Sequence, residues 1–110
     1  MSYQAFADPQ VMLAFGASAT GKWFSVEDAL STQISLFADA TAAGDLFVEF
    51  TPTNDGSLGV ALVQQWTIVA GGSAKTLPVE AGRYSGFLRV RSVLSAGNAG
   101  ANFNKMVGGV

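Results

Sequence analysis

Cysteine and histidine are both absent from the 110-residue chain. Without cysteine there is no disulfide, no thiolate nucleophile and no sulfur ligand for a metal. Without histidine the chain lacks the commonest general base, the commonest zinc ligand and every Ser-His or Cys-His catalytic pairing. Charge is scarce as well: Asp, Glu, Lys and Arg make up 13% of the residues, against about 25% in an average soluble domain. A net charge of −2 offers no basic field for nucleic acid or an anionic membrane. The start, MSYQAFADPQVMLAFG, has no basic leader, and Asp8 and Pro9 precede its short apolar run, so no signal peptide is expected. No apolar run is long enough for a helix to span a bilayer. No Asn is followed two places on by Ser or Thr. The residues present thus predict neither a cofactor nor a metal site, and no enzyme.

What is there is apolar and finely divided. Hydrophobic residues make up 49% of the chain, and 13 glycines and 3 prolines cut it into short pieces. Within the pieces apolar residues alternate, the pattern of half-buried strands. In 32–38 (TQISLFA), Ile34, Leu36 and Ala38 share a face. In 45–51 (DLFVEFT), Leu46, Val48 and Phe50 oppose Phe47, Glu49 and Thr51. In 58–69, Leu62, Gln64, Trp66 and Ile68 oppose Val63, Gln65, Thr67 and Val69. In 86–94 (GFLRVRSVL), Leu88, Val90 and Ser92 point inward, with Phe87, Arg89, Arg91 and Val93 on the reverse face. Weaker strand candidates are 11–15, 22–26 and 102–107. Glycine marks turns near 42–45, 53–56, 70–73, 80–83 and 96–98, joined by Asp45, by Asn54 and Asp55, and by Asn98 in three of them, since these residues tolerate positive φ.

A helix over 25–41 is the rival reading, with Ser25 as cap, Asp28 three places on, and Leu30, Ile34, Phe37 and Thr41 along one side. The alternation of Ile34 with Leu36 argues for a strand instead. Short strands with a turn about every ten residues predict an all-β, antiparallel β-sandwich, jelly-roll-like. The predicted organisation is an extended N-terminal arm, residues 1–20, followed by a β-sandwich domain, residues 21–110.

Several constellations invite chemistry. Gly16, Gly21 and Lys22 fit the G-x-x-x-x-G-K phosphate loop, but Trp23 stands where Ser or Thr should bind magnesium, and a strand pattern follows where a helix is needed. The reading is a turn between strands. Glu27 and Asp28 are neighbours and face opposite ways in a strand; Asp39, Asp45 and Asp55 sit at expected turns. A calcium site built from loop oxygens finds no dense Asp cluster to support it. Arg89 and Arg91 share a strand face, either meeting an acidic partner or pairing across strands to Glu49. Trp23, Trp66, Tyr3 and Tyr84 could stack on sugars, but aromatics of a sandwich are more often core or interface anchors. Trp66 is read as core.

Three stretches carry a resemblance. Trp23-Phe24-Ser25-Val26 opens the body. A strand with Val48, Glu49 and Phe50 ends in the turn Asn54-Asp55-Gly56-Ser57. A later edge reads Gly82-Arg83-Tyr84, then Gly86-Phe87-Leu88-Arg89-Val90-Arg91. Together they resemble the small β-sandwich virion proteins of tailed bacteriophages: capsid decoration (cement), head-fibre and tail accessory proteins. The resemblance implies a non-enzymatic virion component, often a homotrimer, bound to the major capsid protein or to a tail protein. A capsid decoration protein at the virion surface is the first reading, with a tail or fibre accessory protein and a carbohydrate-binding module as the alternatives. It carries over no binding residue.

Apolar residues on both faces of several strands add an argument of their own. Phe47 opposes Val48, and Phe87 and Val93 oppose Leu88 and Val90. One sandwich has one interior, so part of the second set should lie at an interface. The expected contacts are Phe6, Val11, Leu13 and Phe15 of the arm with Phe87, Arg89 and Arg91 of the sandwich. The expected partners are a second copy and the capsid, with no nucleic acid and no membrane.

Overall fold

A computed structural model describes residues 3–6, 10–26, 29–68, 75–79 and 86–109, with side chains described for 10–26, 32–68 and 86–104. The alternating segments are strands: β1 (Tyr3–Phe6), β2 (Gln10–Gly16), β3 (Phe24–Ser25), β4 (Ala29–Ala38), β5 (Ala43–Thr51), β6 (Ala61–Ile68), β7 (Lys75–Val79), β8 (Phe87–Ala96) and β9 (Ala99–Gly109).

They form two antiparallel sheets. The first has the order β1-β9-β4-β7, with β2 also paired to β9; the second has the order β3-β8-β5-β6. β4 occupies one edge of β9 along its length, and β1 and β2 follow one another along the other edge. The pairs nest: β2 with β9, β3 with β8, β4 with β7, β5 with β6. This wrapping of one long hairpin over two sheets is the jelly roll, as the turn spacing predicts.

Between the sheets, Ile34 and Leu36 of β4, Leu46 and Val48 of β5, Leu88 and Val90 of β8, and Ala101 and Phe103 of β9 are each at most 3% exposed. Each fully buried large aliphatic contributes about 1.5–3 kcal/mol. Phe24 tilts against Phe103 with ring centroids 5.2 Å apart. The inward sets expected on β4, β5 and β8 are those observed.

One rival reading falls and three expectations meet a different outcome. First, the helix over 25–41 does not form, as the alternation of Ile34 with Leu36 argues. Most of its described part is the ten-residue strand β4, held by ladders to β7 on one side and β9 on the other, and Ser25, the expected cap, belongs to β3; those ladders outweigh a local capping signal. Secondly, the described part of the expected arm is drawn into the sandwich. β2 pairs with β9 and sends Met12 and Leu13 into the core at 2% and 3% exposure. Residues 18–21 then run along the edge of β8: Ser92 N–H donates to the Ala19 carbonyl at 2.8 Å, and Gly21 N–H to the Val90 carbonyl at 2.9 Å. Thirdly, the face expected for β6 is interrupted. A register shift opposite Val48 and Glu49 inserts one extra residue, a β-bulge. Leu62 therefore stands opposite Glu49 on the outward side, 57% exposed, while Trp66 and Ile68 keep the inward side. Val69 lies outside the described residues. Finally, β7 forms where the apolar pattern predicts no strand. It contains Pro78, which cannot donate to a ladder, and it pairs with β4 alone, the edge position proline tolerates.

Candidate functional site: the outer face of the second sheet

The outward residues of β8, β5 and β6 line up in rungs. Arg89 lies opposite Glu49, and Glu49 opposite Leu62; Arg91 lies opposite Phe47, and Phe47 opposite Gln65; Val93 lies opposite Asp45, and Asp45 opposite Thr67. The β8 edge is extended by the 18–23 segment, with Thr20 bridged to Arg91.

Glu49 sits at the centre of this face, 8% exposed. Its Oε1 accepts from Arg89 Nε at 2.9 Å and lies 3.5 Å from Arg91 Nε, while Oε2 takes Arg91 Nη2 at 3.5 Å. The two guanidiniums, two residues apart on β8, thus share one carboxylate. Each also covers an aromatic ring. Arg89 Cζ stands 4.2 Å from the Trp23 ring centre, and Arg91 Cζ 4.3 Å from that of Phe47. Such cation–π contacts fix the planar guanidinium and contribute about 0.5–1 kcal/mol each at exposed sites. The result is a continuous band, Trp23, Arg89, Glu49, Arg91, Phe47, across the sheet.

The loop after β5 roofs one end of the band. The Thr51 hydroxyl donates to the Gly59 carbonyl at 2.7 Å and is fully buried. Gly56 takes a positive φ of 76°, and a Cβ there would lie 3.6 Å from Cζ2 of Trp23. Asp55 Oδ1 accepts from Ser57 N–H at 2.9 Å, closing the Asn-Asp-Gly-Ser turn. That bond, with the Ser57 and Thr53 hydroxyls, holds the Asp55 carboxyl below its ordinary range. At the other end Asp45 accepts from Thr67 Oγ1 at 2.7 Å and from Gln65 Nε2 at 3.2 Å. Those bonds, Thr67 first, hold its carboxyl low too. Asp45 is thus inside β5 and not at a turn as expected. Around the band Leu58, Val60, Leu62, Val63 and Val93 are exposed.

The expected contact residues divide. Arg89 and Arg91 are in the band and pair with Glu49, the cross-strand alternative. Phe87 lies on the same face, half-buried opposite Thr51. Leu13 is core, since the irregular register of β2 turns both Met12 and Leu13 inward. Val11 and Phe15 are exposed, on a different strand from the band, and the Phe15 ring stacks on Phe37 at 6.0 Å. Phe6 pairs through its backbone with Met106; its side chain lies outside the described residues. Trp66 is half-buried at the rim of the core. The sequence reading missed Trp23, Phe47 and Glu49 as one unit with the arginines. The two-residue spacing of Arg89 and Arg91, set beside Phe47 and Glu49 with the same spacing, held that signal.

The phosphate-loop look-alike is a strand edge. The amide of Gly21 is used by β8, and β3 follows where a helix would be needed. Among the described residues no group of three or more acidic, His or Cys side chains could hold a metal ion. Glu27, Asp28 and Tyr84 lie outside the described residues, as does the Tyr3 side chain. No described helix is long and apolar enough to cross a membrane.

No protein-family model matches the chain, and no curated protein matches it in sequence. In structure it is similar to the SPBc2 prophage-derived protein YomS, with a TM-score of 0.67 at 6% identity, over 96% of this chain and 95% of that one. A weaker likeness, TM-score 0.49 at 12% identity over 100% of this chain and 90% of that one, is to a structure described as Bacillus endospore appendages that form a family of disulfide-linked pili. The first likeness shows the fold. What the chain defines is therefore a class, the all-β jelly-roll sandwich, with a distant structural counterpart in a phage-derived protein.

Proposed function

We propose that this chain is a non-enzymatic virion structural protein, a capsid decoration protein of a tailed bacteriophage. It docks on the lattice of the major capsid protein through the outer face of the second sheet and works as a homo-oligomer. The observation that carries the reading is the band of Trp23, Arg89, Glu49, Arg91 and Phe47, bordered by exposed Leu62 and Val93. Trp and Arg beside apolar side chains are the composition of interface hot spots. Their rotamers are already fixed by ring and carboxylate contacts, so binding orders little that is not ordered beforehand. A sugar-binding platform fits the band less well, because Arg89 occupies a face of Trp23 and Trp66 is half-buried against the core.

The test is co-sedimentation of the purified chain with capsids that lack it. The expected result is saturable binding, weakened at least tenfold by Val93→Asp, an exposed position whose substitution leaves the core untouched. Binding to isolated tails and not to capsids would move the protein to a tail or fibre accessory role. Micromolar binding to glycans with none to capsids would replace the reading by a carbohydrate-binding module.

A further inference from the structure

We propose that the outer edge of β6 receives β6 of a second copy of this chain, antiparallel, so that two second sheets join into one. The inference deepens the self-association just proposed, by naming its surface, and is independent of the capsid.

β6 ends the second sheet, and among the described residues no strand pairs with its other edge. An edge strand presents a row of unpaired N–H and C=O groups, which proteins normally blunt with charge, proline, irregularity or brevity. The other edges of this sandwich are blunted in those ways. β7 contains Lys75 and Pro78. β1 is four residues long and β3 two. β2 carries two irregularities of register. β6 is eight residues, ALVQQWTI, with no charge and no proline, and its one bulge lies near its start. Leu58 and Val60 just before it and Leu62 and Val63 within it stand 43–74% exposed, an apolar margin that a lone chain leaves in water.

Geometry selects the register. In antiparallel pairing, residues directly opposite share a face. A twofold axis must therefore pass through a residue, not between two, or inward side chains would meet outward ones. An axis at Gln65, near the middle of the eight-residue strand, sets Gln65 against Gln65 of the second copy and Gln64 against Trp66, with the bulged Val63 beside Thr67. The two central amides can each donate and accept, and no like charges meet along the strand. A second copy satisfies this register by symmetry; a foreign strand would need it by coincidence. Such a contact is isologous and closes at two copies, in place of the threefold arrangement that the phage resemblance implied.

The absence of native cysteine makes the test clean. Opposite Cα atoms in an antiparallel pair lie about 4.5–5.5 Å apart, within the roughly 4.4–6.8 Å a disulfide spans. Gln65→Cys should give a covalent dimer on mild oxidation. Thr67→Cys should not, because the two copies of that residue would lie four positions apart, about 13 Å. Val63→Lys should halve the mass seen by light scattering at micromolar concentration while leaving the far-ultraviolet β spectrum unchanged. An unmodified chain that is monomeric at micromolar concentration, a trimer mass, or an oligomer of the Gln65→Cys variant that does not crosslink would each overturn the proposal. The crosslink is read without capsids, so its result stands whatever the docking assay gives.

Discussion

Asp39 and Asn98, 59 residues apart, hold each other twice: Asn98 Nδ2 donates to Asp39 Oδ2 at 2.9 Å, and the Asn98 carbonyl accepts from the Asp39 N–H at 3.0 Å. The pair ties the β4–β5 crossing to the β8–β9 crossing, both of which carry the chain from one sheet to the other. Thr41 adds its N–H at 3.2 Å and its hydroxyl at 3.0 Å to the same carboxylate. The Asn98 side chain above all, and then Thr41, holds the Asp39 carboxyl below its ordinary range.

A lowered folded-state pKa stabilises the charged, folded form. The contribution is complete above the unfolded value, about 3.9 for Asp, and is lost as pH falls through the lowered folded value. Asp45 acts with the same sign. Urea midpoints measured from pH 7 down to pH 2 should therefore fall in the acid limb, and Asp39→Ala should flatten that fall. An identical acid limb in the variant would contradict the assignment.

Removing the shared carboxylate is a sharper perturbation. Glu49→Ala leaves Arg89 and Arg91 side by side with no counter-charge. A broken buried pair costs about 3–5 kcal/mol and an exposed one at most about 1. With Arg89 and Arg91 side chains at 22% and 34% exposure, a loss of about 2 kcal/mol is expected. Chemical denaturation reads it directly, and a shifted Trp23 emission should accompany it as Arg89 leaves the ring.

At the rim, Trp66→Ala should cost about 2 kcal/mol, below the roughly 3–5 of a fully enclosed tryptophan. The ring packs on the core but stays half-buried. Thermal unfolding checks this, and an unchanged melting temperature would show that the ring does no packing.

Two neighbours on the 18–23 segment should behave oppositely. Lys22→Ala should stay within about ±0.5 kcal/mol, as exposed substitutions do, and neither form should bind ATP. Gly21→Val should cost more than about 2 kcal/mol, in the range of overpacked sites. A Cβ at Gly21 would come within 2.3 Å of the Met12 carbonyl oxygen and 2.9 Å of that of Val90.

The inward faces of β4, β5 and β8 were legible because each strand obeys a strict period of two between turn signals: Ile34 and Leu36, Leu46 and Val48, Leu88 and Val90. The same rule misled on β6, where one bulged residue moves Leu62 to the other face, and a bulge leaves no mark in apolar spacing. It gave no hint of β7, since Pro78 reads as a breaker until an edge position is known. The pairing of Arg89 and Arg91 with Glu49 was readable as an alternative. Its extension to Trp23 and Phe47 depends on which strands become neighbours, and that information is non-local.

The last strand described, β9, is the one at the heart of the first sheet. Through most of synthesis on the ribosome that sheet consists of flanks without a middle. β2, and the edge of β4 that does not pair with β7, wait with bare backbone until residues 99–109 emerge to pair with both. Pairings between such distant parts of a chain form in milliseconds to seconds, late compared with local turns. Until then the nascent chain presents unfinished strands to its neighbours, and a chain cut short before residue 99 would never shelter them.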